Sequence, residues 1–138
     1  MLLAFAFCSW CAEERRAFLL DRVVETVGSP NLGANFDLGH ATVEGAYNVW
    51  LTNVRLMAPC TKMISVKDFV WDGNKPRWVP LGEGIVQTAD MLRVLFQAGF
   101  AGPASIHLEY KLPNDQAVLD EVRKAAVTLR EAIAAARI

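Results

Sequence analysis

Five side chains capable of acid, base or metal-ligand chemistry lie near the ends of apolar segments of the chain. They are Asp37, His40, Lys67, Asp68 and Glu109. Carboxylates of this kind can bind a divalent metal or move a proton. Asp37 and His40, three residues apart, fit a simpler role equally well, as a turn former and a helix cap. The pair alone does not decide between an active site and a helix start.

Strand-like and helix-like patterns alternate along the chain and would position these residues. Short apolar runs predict strands, at residues 2–7, 31–37, 61–68 and 102–110. Apolar residues at helical spacing predict helices, at 12–30, 42–58, 88–100 and from Asn114 or Asp115 to the C-terminus. Thr88 is the predicted N-cap of the third helix and Gly99 its stop. Residues 69–87 predict a long loop, and such loops often serve function.

This order predicts an α/β fold of right-handed βα units around a parallel sheet. Neither a linker nor a shift in composition divides residues 1–138, so a single domain of about four βα units is expected. Such a chain could form a small doubly wound sheet or part of an eightfold barrel. Asp37, Lys67–Asp68 and Glu109 each lie at the end of a predicted strand, and chemistry gathers at the carboxyl ends of strands in both architectures.

Composition argues against several classes of partner. Fourteen basic and fifteen acidic residues give a net charge of −1, without the basic cluster that nucleic-acid binding requires. The first ten residues are apolar, but they are too few to span a membrane and lack the features of a signal peptide. We therefore expect a soluble cytoplasmic protein that binds neither nucleic acid nor membrane.

The three cysteines give no disulfide framework. Cys8 and Cys11 have the C-x-x-C spacing of a redox pair or half a zinc site, and Cys60 stands apart. A complete zinc site would need a second pair or well-spaced histidines, and His40 and His107 are the only histidines. Reduced thiols in a reducing compartment are the simpler interpretation.

Four motifs carry a resemblance to a known family. They are FDLGH (36–40), SVKDF (65–69), PLGEGIV (80–86) and GPASIHLEY (102–110). In this order and spacing they resemble the C-terminal half of the sugar phosphate isomerase/epimerase group, whose members have the xylose isomerase-like TIM barrel. The resemblance covers residues 12 to 115. It implies that the chain forms the C-terminal half of a TIM (β/α)8 barrel.

The resemblance also implies an activity and a set of site residues. Members bind Mn²⁺, Mg²⁺ or Co²⁺ through a Glu, an Asp, a His and a Glu at the last four strands, and move a proton between adjacent sugar carbons through an enediolate. By this likeness Asp37 and Glu109 are metal ligands, and Glu109 is also the catalytic acid or base. Asp68 is the further ligand expected because Ser65 replaces a histidine ligand of the family. The implied contacts to a sugar or sugar phosphate are His40, Lys67 and Glu83. Apart from the resemblance, Trp71 and Trp78 of the long loop could offer an apolar face to a sugar ring, or equally could pack the loop onto the barrel.

The chain departs from the family pattern at two positions. Ser65 stands where the family has a histidine ligand, and residues 7–10 contain no acid where the family has its first glutamate. A half barrel leaves an apolar edge open, so either two copies close it as a homodimer or the sequence is truncated. The related alternatives are a sugar-acid dehydratase and, less compatible with two histidines, an abasic-site endonuclease. The alternative from another class is a non-catalytic half-barrel remnant or self-assembly module.

Overall fold

The computed structural model describes residues 3–6, 15–45 and 49–137. The strands, in chain order, are β1 (Leu3–Ala6), β2 (Leu32–Asp37), β3 (Thr61–Val66), β4 (Asp68–Asp72), β5 (Lys75–Val79) and β6 (Ala104–Ile106). The helices are α1 (Arg15–Val27), α2 (Leu38–Glu44), α3 (Val49–Met57), α4 (Thr88–Gln97) and α5 (Asp115–Ala136). A 3-10 turn, Ala58–Cys60, leads into β3.

Four of these strands form a parallel sheet in the spatial order β1-β2-β3-β6. The predicted alternation of parallel strands and helices is confirmed, and it fits part of a barrel. Successive side chains of a strand point to opposite faces. Ala34, Phe36, Ile64 and Val66 join the hydrophobic core with residues of the helices. The opposite face of the sheet therefore carries Asn35 and Asp37 of β2 and Ser65 of β3.

The prediction of the second helix is wrong in its first residue and in treating two helices as one. The sequence predicts one helix over 42–58, whereas α2 begins at Leu38 and ends at Glu44, and α3 begins at Val49. Asp37 causes the early start, because its Oδ1 accepts a hydrogen bond from the His40 backbone N–H at 2.9 Å. The predicted strand 31–37 is confirmed as β2, which ends on Asp37.

The prediction of a loop without secondary structure over 69–87 is also wrong. Strands β4 and β5 form an antiparallel hairpin in which Asp72 pairs with Lys75. A two-residue Gly-Asn turn joins them, flanked by β-branched and aromatic residues. Those features are a hairpin signal that the sequence already carried. Only residues 80–87 remain as a loop between β5 and α4.

The remaining boundaries differ in detail. Helix α4 begins at Thr88, but Gln87 occupies its N-cap position and no side chain caps it. Asn114 caps α5 as predicted, its side chain accepting from the Ala117 N–H at 2.9 Å. The last strand is much shorter than the predicted 102–110, since β6 covers three residues. The chain then runs in extended or bent backbone to α5, and Glu109 lies in this segment.

Several large apolar side chains of the outer helices face solvent. They are Leu19, Val23 and Val27 on α1, and Val118, Leu119 and Val122 on α5. The last three follow helical spacing along α5, and Leu129, farther along the same helix, is buried. Within the described part of the chain, no helix combines the length and apolar character needed to cross a membrane.

Candidate active site at the carboxyl ends of the strands

Asp37 is both a helix cap and a member of an ionic cluster. Besides capping α2 through Oδ1, it places Oδ2 3.2 Å from the Lys67 Nζ and 3.0 Å from the His40 Nδ1. The imidazole approaches at ion-pair distance without the alignment of a hydrogen bond. Burial acts to raise the pKa of Asp37, but its contacts with His40 and the charge of Lys67 outweigh that effect and hold the pKa below its ordinary value.

Lys67 lies at the centre of this cluster. Its side chain is 1% exposed, and its Nζ donates to Glu109 Oε1 at 2.6 Å. The same Nζ is 3.3 Å from His40 Nε2 and 4.5 Å from the centre of the Trp78 ring. An ammonium group only donates, so this geometry requires His40 Nε2 to accept. Lys67 thus joins residues that follow β2 and β6 and covers its charge with an aromatic face.

Glu109 is the acidic member of the cluster that solvent reaches. Its side chain is 35% exposed, against 8% for Asp37. His107, two residues earlier, places Nδ1 3.8 Å from Glu109 Oε1. A ligand entering from solvent would therefore meet the Glu109 carboxylate, with the buried ammonium behind it.

A second group of polar side chains lies on the same face of the sheet, beside the ionic cluster. The Ser65 hydroxyl is within hydrogen-bond distance of the Asn35 side chain (3.0 and 3.2 Å) and of the Ser105 hydroxyl (3.2 Å). The Ser105 hydroxyl lies 3.1 Å from His107 Nε2. Sequence reasoning did not assign Asn35, Ser105 or His107 to the site. Counting back two residues from Asp37 gives Asn35, and counting back two and four from Glu109 gives His107 and Ser105, as strand alternation allows.

Asp68 holds the following loop. Its side chain is buried, and its two oxygens accept from the backbone N–H groups of four residues at 2.9 to 3.0 Å: Phe69, Gly82, Gly84 and Val86. A Cβ on Gly84 would lie 2.0 Å from Asp68 Oδ1, so only glycine allows this approach. The structure gives Asp68 these loop contacts in place of contacts with Asp37 or Glu109.

Two other predicted site residues also lie apart from the cluster. Glu83 is half exposed and forms an ion pair with Lys124 of α5. Trp71 is 49% exposed and makes an edge-on contact with Phe69, with ring centres 5.2 Å apart. Trp78 lies closer to the cluster, with its ring centre 5.6 Å from that of His40. The structure thus unites Asp37, His40, Lys67 and Glu109 and leaves Asp68, Trp71 and Glu83 outside.

The position between the two carboxylates does not fit a divalent metal while Lys67 occupies it. Among residues 3–6, 15–45 and 49–137, no group of three or more His, Cys, Asp or Glu side chains is arranged to hold a metal ion. An ion about 2.1 Å from both oxygens would lie within roughly 5 Å of the ammonium. At an effective dielectric constant of about 20, their repulsion is on the order of 7 kcal/mol. Residues 7–10, where the resemblance implies the first glutamate ligand, lie outside the described residues. The cysteine pair Cys8 and Cys11 also lies outside them.

Comparisons with known proteins show which family and which solved structures the chain resembles. The family model described as a xylose isomerase-like TIM barrel matches residues 8–132. A search of the curated proteins gave no match.

Solved structures show the same fold. A xylose isomerase-like TIM barrel protein from Mycobacterium smegmatis, in complex with magnesium, has a TM-score of 0.73 at 14% identity, over 99% of this chain and 45% of that one. A xylose isomerase domain protein from Planctomyces limnophilus has a TM-score of 0.62 at 26% identity, over 96% and 45% of the two chains. An L-ribulose 3-epimerase has a TM-score of 0.56 at 19% identity, over 84% and 42%. The chain thus spans less than half the length of these proteins.

Proposed function

Because the chain belongs to the xylose isomerase-like TIM-barrel family, we propose that it serves sugar isomerisation or epimerisation. The substrate class is a small sugar or sugar phosphate with a hydroxyl next to a carbonyl. The reaction moves a proton between the two adjacent carbons, or removes and returns it at one carbon. The likeness to a solved L-ribulose 3-epimerase supports this class of chemistry without fixing the sugar.

The observation that carries the proposal is the contact between Glu109 and Lys67. A buried ammonium 2.6 Å from a partly exposed carboxylate fixes the orientation of that carboxylate at the end of the sheet. Such a carboxylate is positioned to accept a proton from a ligand bound on the solvent side. The ammonium behind it adds positive charge where an enediolate would develop negative charge.

Glu109 takes the proton from the carbon that bears the hydroxyl, and the electrons of that C–H bond form the carbon–carbon double bond of an enediolate. The carbonyl electrons move onto oxygen, and the buried Lys67 ammonium behind Glu109 stabilises that negative charge through space. Return of the proton from Glu109 to the neighbouring carbon, together with transfer of the hydroxyl proton to the alkoxide oxygen, gives the isomer. The epimer would require a second acid that delivers a proton to the opposite face of the first carbon. Asp37 and His40 hold Lys67 in place.

Binding of Mn²⁺, Mg²⁺ or Co²⁺ remains a prediction that comes from the resemblance to the family. In this chain Asp37 and Glu109 are the carboxylates that could supply ligands, and Lys67 lies between them. No step above depends on a metal. Asp68 is left out of the proposed ligand set because four backbone N–H groups already occupy its oxygens.

The proposal is tested by incubating the 138-residue chain with a panel of ketoses and aldoses, free and phosphorylated, in D2O. Proton NMR would report both loss of the signal next to the carbonyl and appearance of an isomer. We expect conversion of at least one member of the panel. The absence of both exchange and conversion across the panel would refute an activity of this chain on its own.

The exposed apolar surface favours a second candidate, self-assembly. In the described sheet β1 and β6 each pair with one neighbour, so both outer edges are open. The apolar residues of α1 and α5 named above also face solvent. The chain spans less than half the length of the solved structures that it resembles. We propose that a second copy covers these surfaces and forms a homodimer with a barrel-like arrangement.

Light scattering after size-exclusion chromatography tests this second candidate. We expect a dimer for the unaltered chain and a shift toward monomer in Val122→Asp. Val127→Asp is the matched control, because Val127 is also an exposed valine of α5 (52%) but lies on a different side of the helix. A folded monomer for the unaltered chain would contradict self-assembly.

A further inference from the structure

We propose that the Lys67 ammonium is the built-in cation of the Asp37–Glu109 pair, and that it keeps divalent metal ions out of this site. The ammonium has three N–H donors. It donates to Glu109 Oε1 at 2.6 Å and lies 3.3 Å from His40 Nε2, and Asp37 Oδ2 approaches at an ion-pair distance of 3.2 Å. Two carboxylate oxygens and an imidazole nitrogen are also a donor set that a divalent metal would use.

The surroundings of Lys67 keep the ammonium at this position. The side chain is 1% exposed, and the Trp78 ring lies 4.5 Å from Nζ. An ammonium that left the two carboxylates would expose them to each other without a counter-charge. Removing one partner of a buried ionic group is costly for the same reason. Lys67 is therefore built into the site and does not act as a mobile surface charge.

Ser65 supports the same conclusion from a neighbouring position. It faces Asp37 in the strand register, and its hydroxyl is used by Asn35 and Ser105. A serine hydroxyl so engaged adds no metal ligand. With Ser65 bonded elsewhere and Lys67 between the carboxylates, positive charge is supplied by a side chain and the site has no need of a bound ion.

This inference concerns the occupant of the site and does not rest on the proposed reaction. Metal titration reports the occupant, whereas deuterium exchange into a sugar reports the reaction. The two can therefore fail separately, and each failure is recognisable.

The first test uses the unaltered chain and Mn²⁺ as the probe. Bound Mn²⁺ broadens the NMR signals of nearby protons, so the His40 ring reports binding at this site. We expect the His40 signals to persist at millimolar Mn²⁺. Broadening of the His40 ring that disappears in Asp37→Asn would overturn the proposal.

The second test removes the ammonium. Lys67→Met keeps an unbranched side chain that is one heavy atom shorter and uncharged. We expect its Mn²⁺ affinity at this site to exceed that of the unaltered chain by at least about tenfold. The gain should disappear in Lys67→Met combined with Glu109→Gln. Lys75→Met, at an exposed hairpin position, is the matched control and should gain nothing. A folded Lys67→Met variant without added affinity would overturn the proposal, and if this variant fails to fold the first test still decides.

Discussion

Gly39 of α2 lies directly against the methylene chain of Lys67. A Cβ added to Gly39 would be 2.5 Å from Lys67 Cγ and 3.2 Å from its Cε. Carbon atoms do not approach so closely, so any other residue at position 39 would displace the lysine. The glycine of the FDLGH motif thus makes room for the side chain that joins Asp37 to Glu109.

Gly39→Ala should destabilise the protein although alanine favours a helix. The helix preference is worth about 1 kcal/mol, whereas forcing an extra carbon into packed surroundings costs roughly 1–3 kcal/mol. We expect the second effect to win, giving a lower free energy of unfolding in urea. In a Lys67→Ala background the clash is absent, so Gly39→Ala should cost less there by at least about 1 kcal/mol. An equal cost in both backgrounds would show that the two residues are not in contact.

Asp37 should make stability depend on pH in the acid range. Its pKa is held below the ordinary value of 3.8 in the folded protein. A lowered folded pKa adds stability above the unfolded pKa, and that stability is lost as pH falls through the folded pKa. Asp37→Asn removes the charge and keeps an oxygen that can cap α2.

Unfolding measured from pH 7 to pH 3 tests this expectation. The unaltered chain should be more stable than Asp37→Asn near neutral pH, and the difference should shrink below about pH 4. Asp72→Asn, which removes an exposed carboxylate at the hairpin end, controls for the loss of one negative charge. A difference that stays constant down to pH 3 would contradict the ionic role of Asp37.

Asp68 should govern the order of the loop over residues 80–87. Asp68→Ala removes the acceptor for the N–H groups of Gly82, Gly84 and Val86, and we expect a loss of about 3 kcal/mol or more. Amide hydrogen exchange of these three residues should accelerate more than that of the sheet. Asp72→Ala serves as the control at an exposed position. Unchanged exchange in Asp68→Ala would mean that the loop does not depend on this carboxylate.

Part of this site could be predicted from the positions of polar residues at the ends of the predicted strands. Asp37, Lys67 and Glu109 could be placed at one edge because each follows an apolar run, and parallel strands bring their carboxyl ends together. The sequence could not show that Lys67 lies between the two acids, since this contact joins residues 42 positions apart. The sequence also could not show that Lys67 contacts the two acids while its neighbour Asp68 binds the backbone of the 80–87 loop.

Helix and strand boundaries were harder to predict where one residue has both a structural role and a role in the site. Asp37 caps α2 and also pairs with Lys67, so treating the cap as an alternative to the site moved the predicted helix start to Thr42. The hairpin β4–β5 was missed because the proline and glycine content of residues 69–87 outweighed its two-residue turn. The exposed Val118, Leu119 and Val122 follow helical spacing correctly, yet periodicity alone cannot say what covers an apolar face.

The central claim is that Glu109, held by Lys67, transfers the proton, and deuterium incorporation next to the sugar carbonyl tests it most directly. With a sugar that the unaltered chain converts, Glu109→Gln should slow incorporation by roughly 10²-fold or more. Glu131→Gln, at an exposed position of α5, should leave the rate unchanged. Incorporation by a folded Glu109→Gln variant at the rate of the unaltered chain would contradict the claim.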